Sequence, residues 1–168
     1  MIFTKEKLKH YTKEFILFSV VMILFTNALS LYKSQDLNKQ SFDLPMSKLI
    51  DGTIYRPKKG SATLLHVWGT WCPVCKAEAD NIQRVSQDYE VITVAVNSGS
   101  DLEIKEYLKE HGLNYRVIND HTSSLAQKLN VLVYPTTFIY DKSGKLLFSE
   151  VGYTSNFGLY LRMWWASL

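Results

Sequence analysis

The chain of 168 residues has two cysteines, Cys72 and Cys75, and only Pro73 and Val74 lie between them. A disulfide across two residues closes a very small loop. It removes little entropy from the unfolded chain and makes a poor structural staple. Two thiols at this spacing suit reversible oxidation instead: one thiolate attacks a disulfide, and the other resolves the mixed disulfide that forms. Metal binding is the competing chemistry. A structural zinc site usually takes four ligands with paired cysteines at a knuckle. Here there is no second pair, and His66, His111 and His121 lack knuckle spacing. Soft thiolates also suit Cu(I), so a Cu(I)-binding protein stands as an alternative.

The flanking residues say what must hold the pair. "ATLLHVW", Ala62 to Trp68, is an apolar run of the length of a buried strand. A helical pattern follows from Pro73 to about Tyr89, with Ile82, Val85 and Tyr89 on one face. Proline suits the first helical position, where its missing N–H costs nothing. Cys72 then falls at or beside the N-cap, where unpaired N–H groups and the helix dipole favour a thiolate. Cys72, partly exposed beside Trp71, is expected to attack. Cys75, three residues on and more shielded, is expected to resolve. Trp68 reads as core.

Two ionisable residues near the pair have two readings each. Glu78, three residues after Cys75, is either a proton acceptor for the resolving thiol or a charge in the early turns that favours the helix dipole. His66 stands alone in the apolar strand. It is either a buried neutral imidazole with one hydrogen bond to backbone or a base able to take a proton near pH 7.

The remaining pattern alternates strands and helices. Val91–Val96 reads as a second parallel strand. Asp101–His111 reads as a helix, with Ile104, Leu108 and His111 at helical spacing and Gly112 as its stop. Tyr115–Ile118 reads as an inserted strand and Thr122–Leu129 as a short helix. Thr136–Tyr140 and Lys145–Val151 read as a hairpin. Ser155–Leu168 reads as a closing helix with Phe157, Leu161, Trp164 and Leu168 facing the core. The order predicts an α/β fold, a mixed sheet covered on both faces.

The first 32 residues differ from the rest. Lys5, Lys7, Lys9 and Lys13 precede an uncharged, mostly apolar run, residues 15–32. Eighteen residues can just span a bilayer core as a helix. Lysines before the run place the N-terminus in the cytoplasm and the remainder outside. The expected organisation is a cytoplasmic basic tail (1–14), a transmembrane anchor (15–32), a linker (33–40) and one domain (41–168). A cleaved signal peptide ending near Ala28-Leu29-Ser30 is the alternative, and it exports the same domain. Residues 33–168 carry 15 basic and 14 acidic side chains, so no basic stripe points to nucleic acid.

Taken together, these motifs resemble the thioredoxin superfamily. Trp71-Cys72-Pro73-Val74-Cys75 is similar to its active-site motif. Val133-Tyr134-Pro135-Thr136-Thr137-Phe138 is similar to the segment whose cis-proline faces the cysteines. Asp141-Lys142-Ser143-Gly144-Lys145 resembles the turn between the last two strands, and Val151-Gly152 the glycine after them. The resemblance covers roughly residues 41–168. It implies a thioredoxin-like mixed sheet flanked by helices on both faces, here preceded by one N-terminal transmembrane helix. It implies dithiol–disulfide exchange by Cys72 and Cys75 with no organic cofactor and no metal. It also implies a surface shaped by Trp71, and a cis Tyr134–Pro135 bond whose backbone pairs with substrate as an added strand. His66 departs from the pattern, since that position is commonly aspartate or asparagine in the superfamily.

Within the superfamily, the membrane-anchored proteins of bacterial envelopes are most similar. They include the suppressor-of-copper-sensitivity group, toward which Pro73-Val74 leans, and the cytochrome c-biogenesis reductants. The partners so implied are exported thiol or disulfide proteins, a membrane thiol donor or acceptor, and the inner membrane itself.

Overall fold

The computed structural model describes residues 11–22, 25, 46–58 and 60–168. The expectations for residues 1–10 and for most of the stretch 23–45, the linker included, lie outside those residues. Residues 11–22 are helical (α1). Among the described residues no helix is long and apolar enough to cross a membrane.

The domain opens with a short hairpin, β1 (Ser47–Lys48) and β2 (Ile54–Tyr55). It continues as β3 (Thr63–Trp68), α2 (Pro73–Asp88), β4 (Glu90–Val96), α3 (Asp101–Glu110), β5 (Val117–Asp120), α4 (Ser124–Lys128), β6 (Thr136–Tyr140), β7 (Leu146–Val151) and α5 (Asn156–Ala166). The main sheet has the order β5-β4-β3-β6-β7. β3 runs parallel to β4 and antiparallel to β6, so the sheet is mixed.

All six residues of β3 are buried because both sheet faces are covered. Leu64 and Trp68 join one apolar cluster with residues of α2, α3 and α5. Leu65 and Val67 join another with the β1–β2 hairpin and α4. Trp68 is core, as its strand position predicts. It packs on Tyr107 and Tyr115, and its indole donates to Thr93 Oγ1. The β6–β7 turn is held by Asp141, whose Oδ1 accepts from the Ser143 and Lys145 N–H groups, while Gly144 takes a positive φ of 83°.

Two sequence expectations are corrected. The inserted strand lies at Val117–Asp120, two residues later than Tyr115–Ile118. Tyr115 instead turns inward from the loop onto Trp68. The larger correction concerns α5. Phe157, Leu161, Trp164 and Leu168, expected in the core, are 77%, 49%, 52% and 75% exposed, and Leu159, Met163 and Ala166 are buried in their place. The helix is apolar on both sides, so spacing alone cannot choose. The choice is made where Ser155 caps the helix and Tyr160 donates to the Arg84 carbonyl of α2. Leu159→Ala is therefore expected to destabilise the domain by about 2–5 kcal/mol, and Leu161→Ala by about 0.5 kcal/mol or less. Urea unfolding of the two variants checks this; equal losses would contradict the buried face.

Candidate active site

Cys72 is the N-cap of α2, with extended backbone angles (φ −95°, ψ 112°), and Pro73 follows at the helix start. The helix begins here because proline has no N–H to satisfy and a fixed φ that suits the first turn. Cys72 Sγ accepts a hydrogen bond from the Cys75 N–H at 3.2 Å. That N–H is one of the first-turn donors without a helical partner. Cys72 and Cys75 are joined as a disulfide, with their Cα atoms 5.2 Å apart.

Both sulfurs belong to the apolar cluster beneath the site, at 5% and 2% residue exposure. Cys72 is thus buried in the disulfide form, not partly exposed as expected. Tyr134 packs over the same cluster. The exposed rim is built from neighbours instead: Trp71, Pro73 and Val74.

Trp71 is half in solvent, yet fixed. Its indole N–H donates to the Val96 carbonyl at 3.0 Å, and its ring meets Tyr134 edge-on at 5.3 Å. The loop beneath it is pinned by Ser98, whose hydroxyl accepts from the Thr70 N–H. A Cβ at Gly69 would lie 2.7 Å from the Trp71 indole, so this glycine makes room for that ring. Tyr134 precedes Pro135 through a cis peptide bond. Pro135 is buried, and its carbonyl accepts from the Gly152 N–H. Leu132 and Val133, just before it, are 84% and 41% exposed.

Glu78 is completely buried. Its Oε1 accepts from the Thr154 N–H at 3.0 Å, and Oε2 has no partner. Burial pushes its carboxyl up to about 8, against the lowering effect of the Thr154 hydrogen bond and with a small push from Glu150. Burial thus disfavours the charged form that the dipole reading of Glu78 needs. Position i+3 on the helix places it on the same face as Cys75.

His66 is also buried. Its Nδ1 bonds the Thr137 hydroxyl at 2.9 Å, across the β3–β6 register, and not a backbone group. Burial holds its imidazole down at about 3. Burial thus disfavours the protonated form that a proton-accepting role of His66 needs. Among the described residues no cluster of three or more His, Cys, Asp or Glu side chains is placed to hold a metal ion.

Sequence reasoning missed Thr137, Ser98 and the Thr154 N–H. The Thr137 contact depends on strand register, and the other two on loops. Only the Thr136-Thr137 pair after Pro135 offered a signal.

The chain is similar to several known proteins. It is 32% identical over 105 residues to a thioredoxin-like protein of Haemophilus influenzae, covering 62% of each chain. It is 30% identical over 115 residues to the sporulation thiol-disulfide oxidoreductase A of Bacillus subtilis, covering 64% of this chain and 70% of that one. The structure is similar to the exposed lipoprotein thioredoxin Etrx1 of Streptococcus pneumoniae, with a TM-score of 0.60, 27% identity, and coverage of 70% of this chain and 95% of that one. The chain thus spans about two thirds of the length of the first two relatives. The sequence also matches the AhpC/TSA family over residues 40–149, most of its length, and the chain belongs to that thioredoxin-like family.

Proposed function

We propose that the chain is a membrane-anchored thiol–disulfide oxidoreductase that exchanges disulfides with exported proteins outside the cytoplasmic membrane. The observation that carries this reading is the pair itself: two cysteines joined at a helix N-terminus, with Cys72 Sγ facing the Cys75 N–H. The names of its relatives support the activity.

In the reducing direction, the Cys72 thiolate attacks one sulfur of a substrate disulfide and displaces the other as a thiolate. Cys75 then attacks Cys72 Sγ, forming the intramolecular disulfide and releasing the second substrate thiolate. The substrate gains two electrons and the protein loses two; run backward, the same steps oxidise the substrate. The helix N-terminus stabilises the Cys72 thiolate. Glu78 is matched to the proton of Cys75, since a group ionising near working pH transfers protons well. Trp71, Val74 and Tyr134 shape the rim, and the backbone before Pro135 pairs with an extended substrate segment. His66 positions Thr137 and takes no proton itself.

The activity test uses the full chain with glutathione and a disulfide-bonded peptide. Turnover is expected from the parent, with Cys72→Ser falling to the uncatalysed rate. Stoichiometric Cu(I) binding without any disulfide exchange would instead establish the copper-binding reading. A copper-tolerance role is supported only by Pro73-Val74, and loss of copper resistance on deletion tests it against a defect in cytochrome c maturation.

The anchored topology makes its own prediction. In spheroplasts, protease added outside should digest residues 33–168, and the intact chain should fractionate with membranes. A soluble chain beginning near Leu31 would show cleavage.

A further inference from the structure

α5 carries a second apolar face that no other described residue covers. Leu159, Met163 and Ala166 pack into the core. On the opposite side Phe157, Leu161 and Trp164 recur at helical spacing with Trp165 beside them, Leu168 follows just past the helix end, and all five are exposed. They form a stripe roughly 100° wide, the width of a buried helix face. The one charged residue of α5, Arg162, lies outside the stripe. It is half-buried, with Nε 2.8 Å from Glu150 Oε1 and its Nη1 donating to the Gly158 carbonyl. Tyr160 turns toward α2, where its hydroxyl donates to the Arg84 carbonyl. A helix apolar all round is ordinarily covered all round, and contiguous exposed apolar surface marks an interaction site.

We propose that this stripe docks the domain onto the surface of a lipid bilayer. Trp164 and Trp165 sit at headgroup level, and Phe157 and Leu161 reach the acyl boundary. Three observations favour a membrane as the occupant. The stripe pairs two adjacent tryptophans with Phe and Leu, the composition of interfacial belts and membrane-surface helices. The side chains of Phe157, Leu161, Trp164 and Trp165 carry no charge whose desolvation would oppose insertion. Only fourteen residues, 33–46, also separate the apolar run 15–32 from Ser47. Those residues reach at most about 50 Å when extended, so a tethered domain meets the bilayer continually, at high effective concentration. This last point rests on the anchored topology proposed above.

Docking this way leaves the redox site free. α5 meets α2 beside Arg84 and Asp88, near the end away from Cys72.

The test uses the full chain reconstituted into phosphatidylcholine–phosphatidylglycerol vesicles, with or without brominated acyl chains. Vesicle co-sedimentation reports the anchor, and bromine quenching of tryptophan emission reports contact with α5. The parent is expected to co-sediment and to be quenched. The double variant W164S/W165S should co-sediment equally, lose quenching several-fold, and keep parental exchange on a soluble disulfide peptide. Co-sedimentation without quenching, or equal quenching of the double variant, would overturn docking while leaving the anchor intact. Failure to co-sediment would overturn both. A photo-crosslinking residue placed at Leu161 should form lipid adducts; dimers or adducts with another protein would assign the stripe to that occupant and overturn the proposal.

Discussion

Cys75→Ala in the full chain is expected to accumulate mixed disulfides with exported proteins, whereas Cys72→Ala accumulates few. The difference follows from where each sulfur sits. Cys72 Sγ receives the Cys75 N–H, a backbone donor that alanine at position 75 retains. Its thiolate therefore keeps its stabilisation in the variant and still attacks, but no second thiol releases the adduct. Cys75 lies inside the first turn and not at the N-cap, and at 2% exposure against 5% for Cys72 it is the more shielded of the two. Alone, it is a poor attacker. Turnover should fall to the background rate in both variants, so trapping is the measurement that separates the roles. Non-reducing gels of alkylated cell extracts read it directly, and equal trapping by the two variants would contradict the assignment. A companion measurement uses the reduced parent. A free thiol ionises near ~8.5, so preferential alkylation well below pH 8, mapped to Cys72, is expected from the helix N-terminus. Preferential alkylation of Cys75 would reverse the order of attack.

How much of this was legible beforehand depends on whether the cause is local. The placement of Cys72 at the start of a helix needs only Pro73 behind it and an apolar strand before it, and the structure has it there. β3, β4, β6 and β7 were readable because β-rich apolar runs between turn residues have few other uses. The face of α5 was not readable. Phe157, Leu161, Trp164 and Leu168 satisfy helical periodicity as well as Leu159, Met163 and Ala166 do, and the α2 and sheet contacts make the choice. The burial of Glu78 was hidden for a related reason. It depends on the chain entering α5, where Thr154 turns its N–H onto the carboxyl from 76 residues away. His66 was visible as an oddity in an apolar strand. Its partner, 71 residues on, exists only through the β3–β6 register.

Those two buried groups set the second expectation: the stability of the domain should be flat between about pH 4.5 and 6.5 and fall on either side. Glu78 ionises near 4.5 in the unfolded chain and near 8 when folded, chiefly because burial disfavours its charge. The native state keeps a proton that the unfolded state has lost. Its contribution is therefore complete below pH 4.5 and drains away as pH rises toward about 8. His66 has the opposite sign. Unfolded, it takes a proton below about 6.5; folded, burial keeps it neutral down to about 3. Its contribution is complete above pH 6.5 and is lost as pH falls. Where the two ranges overlap, the slopes cancel; from pH 6.5 to 8 only Glu78 of the two acts, and from pH 3 to 4.5 His66 adds to the loss from Asp51, Glu103 and Asp141, whose carboxyls are held down by hydrogen bonds. Glu78 and His66 are each worth on the order of 5 kcal/mol at the far end. Glu78→Gln keeps an acceptor for the Thr154 N–H and cannot ionise, so it should abolish the alkaline fall. His66→Asn keeps a polar group toward Thr137 and should make the acid fall shallower, leaving the part due to the hydrogen-bonded carboxylates. Thermal unfolding from pH 3 to 9 checks both, and a variant with the parental profile would remove its residue from the account. The catalytic reading adds a second measurement, because only one of the two groups ionises near the working range. Glu78→Gln should slow resolution of a Cys72 mixed disulfide and change its pH dependence, while His66→Asn should leave that dependence as it is. If His66→Asn moved it and Glu78→Gln did not, the proton would pass through the imidazole and not the carboxyl.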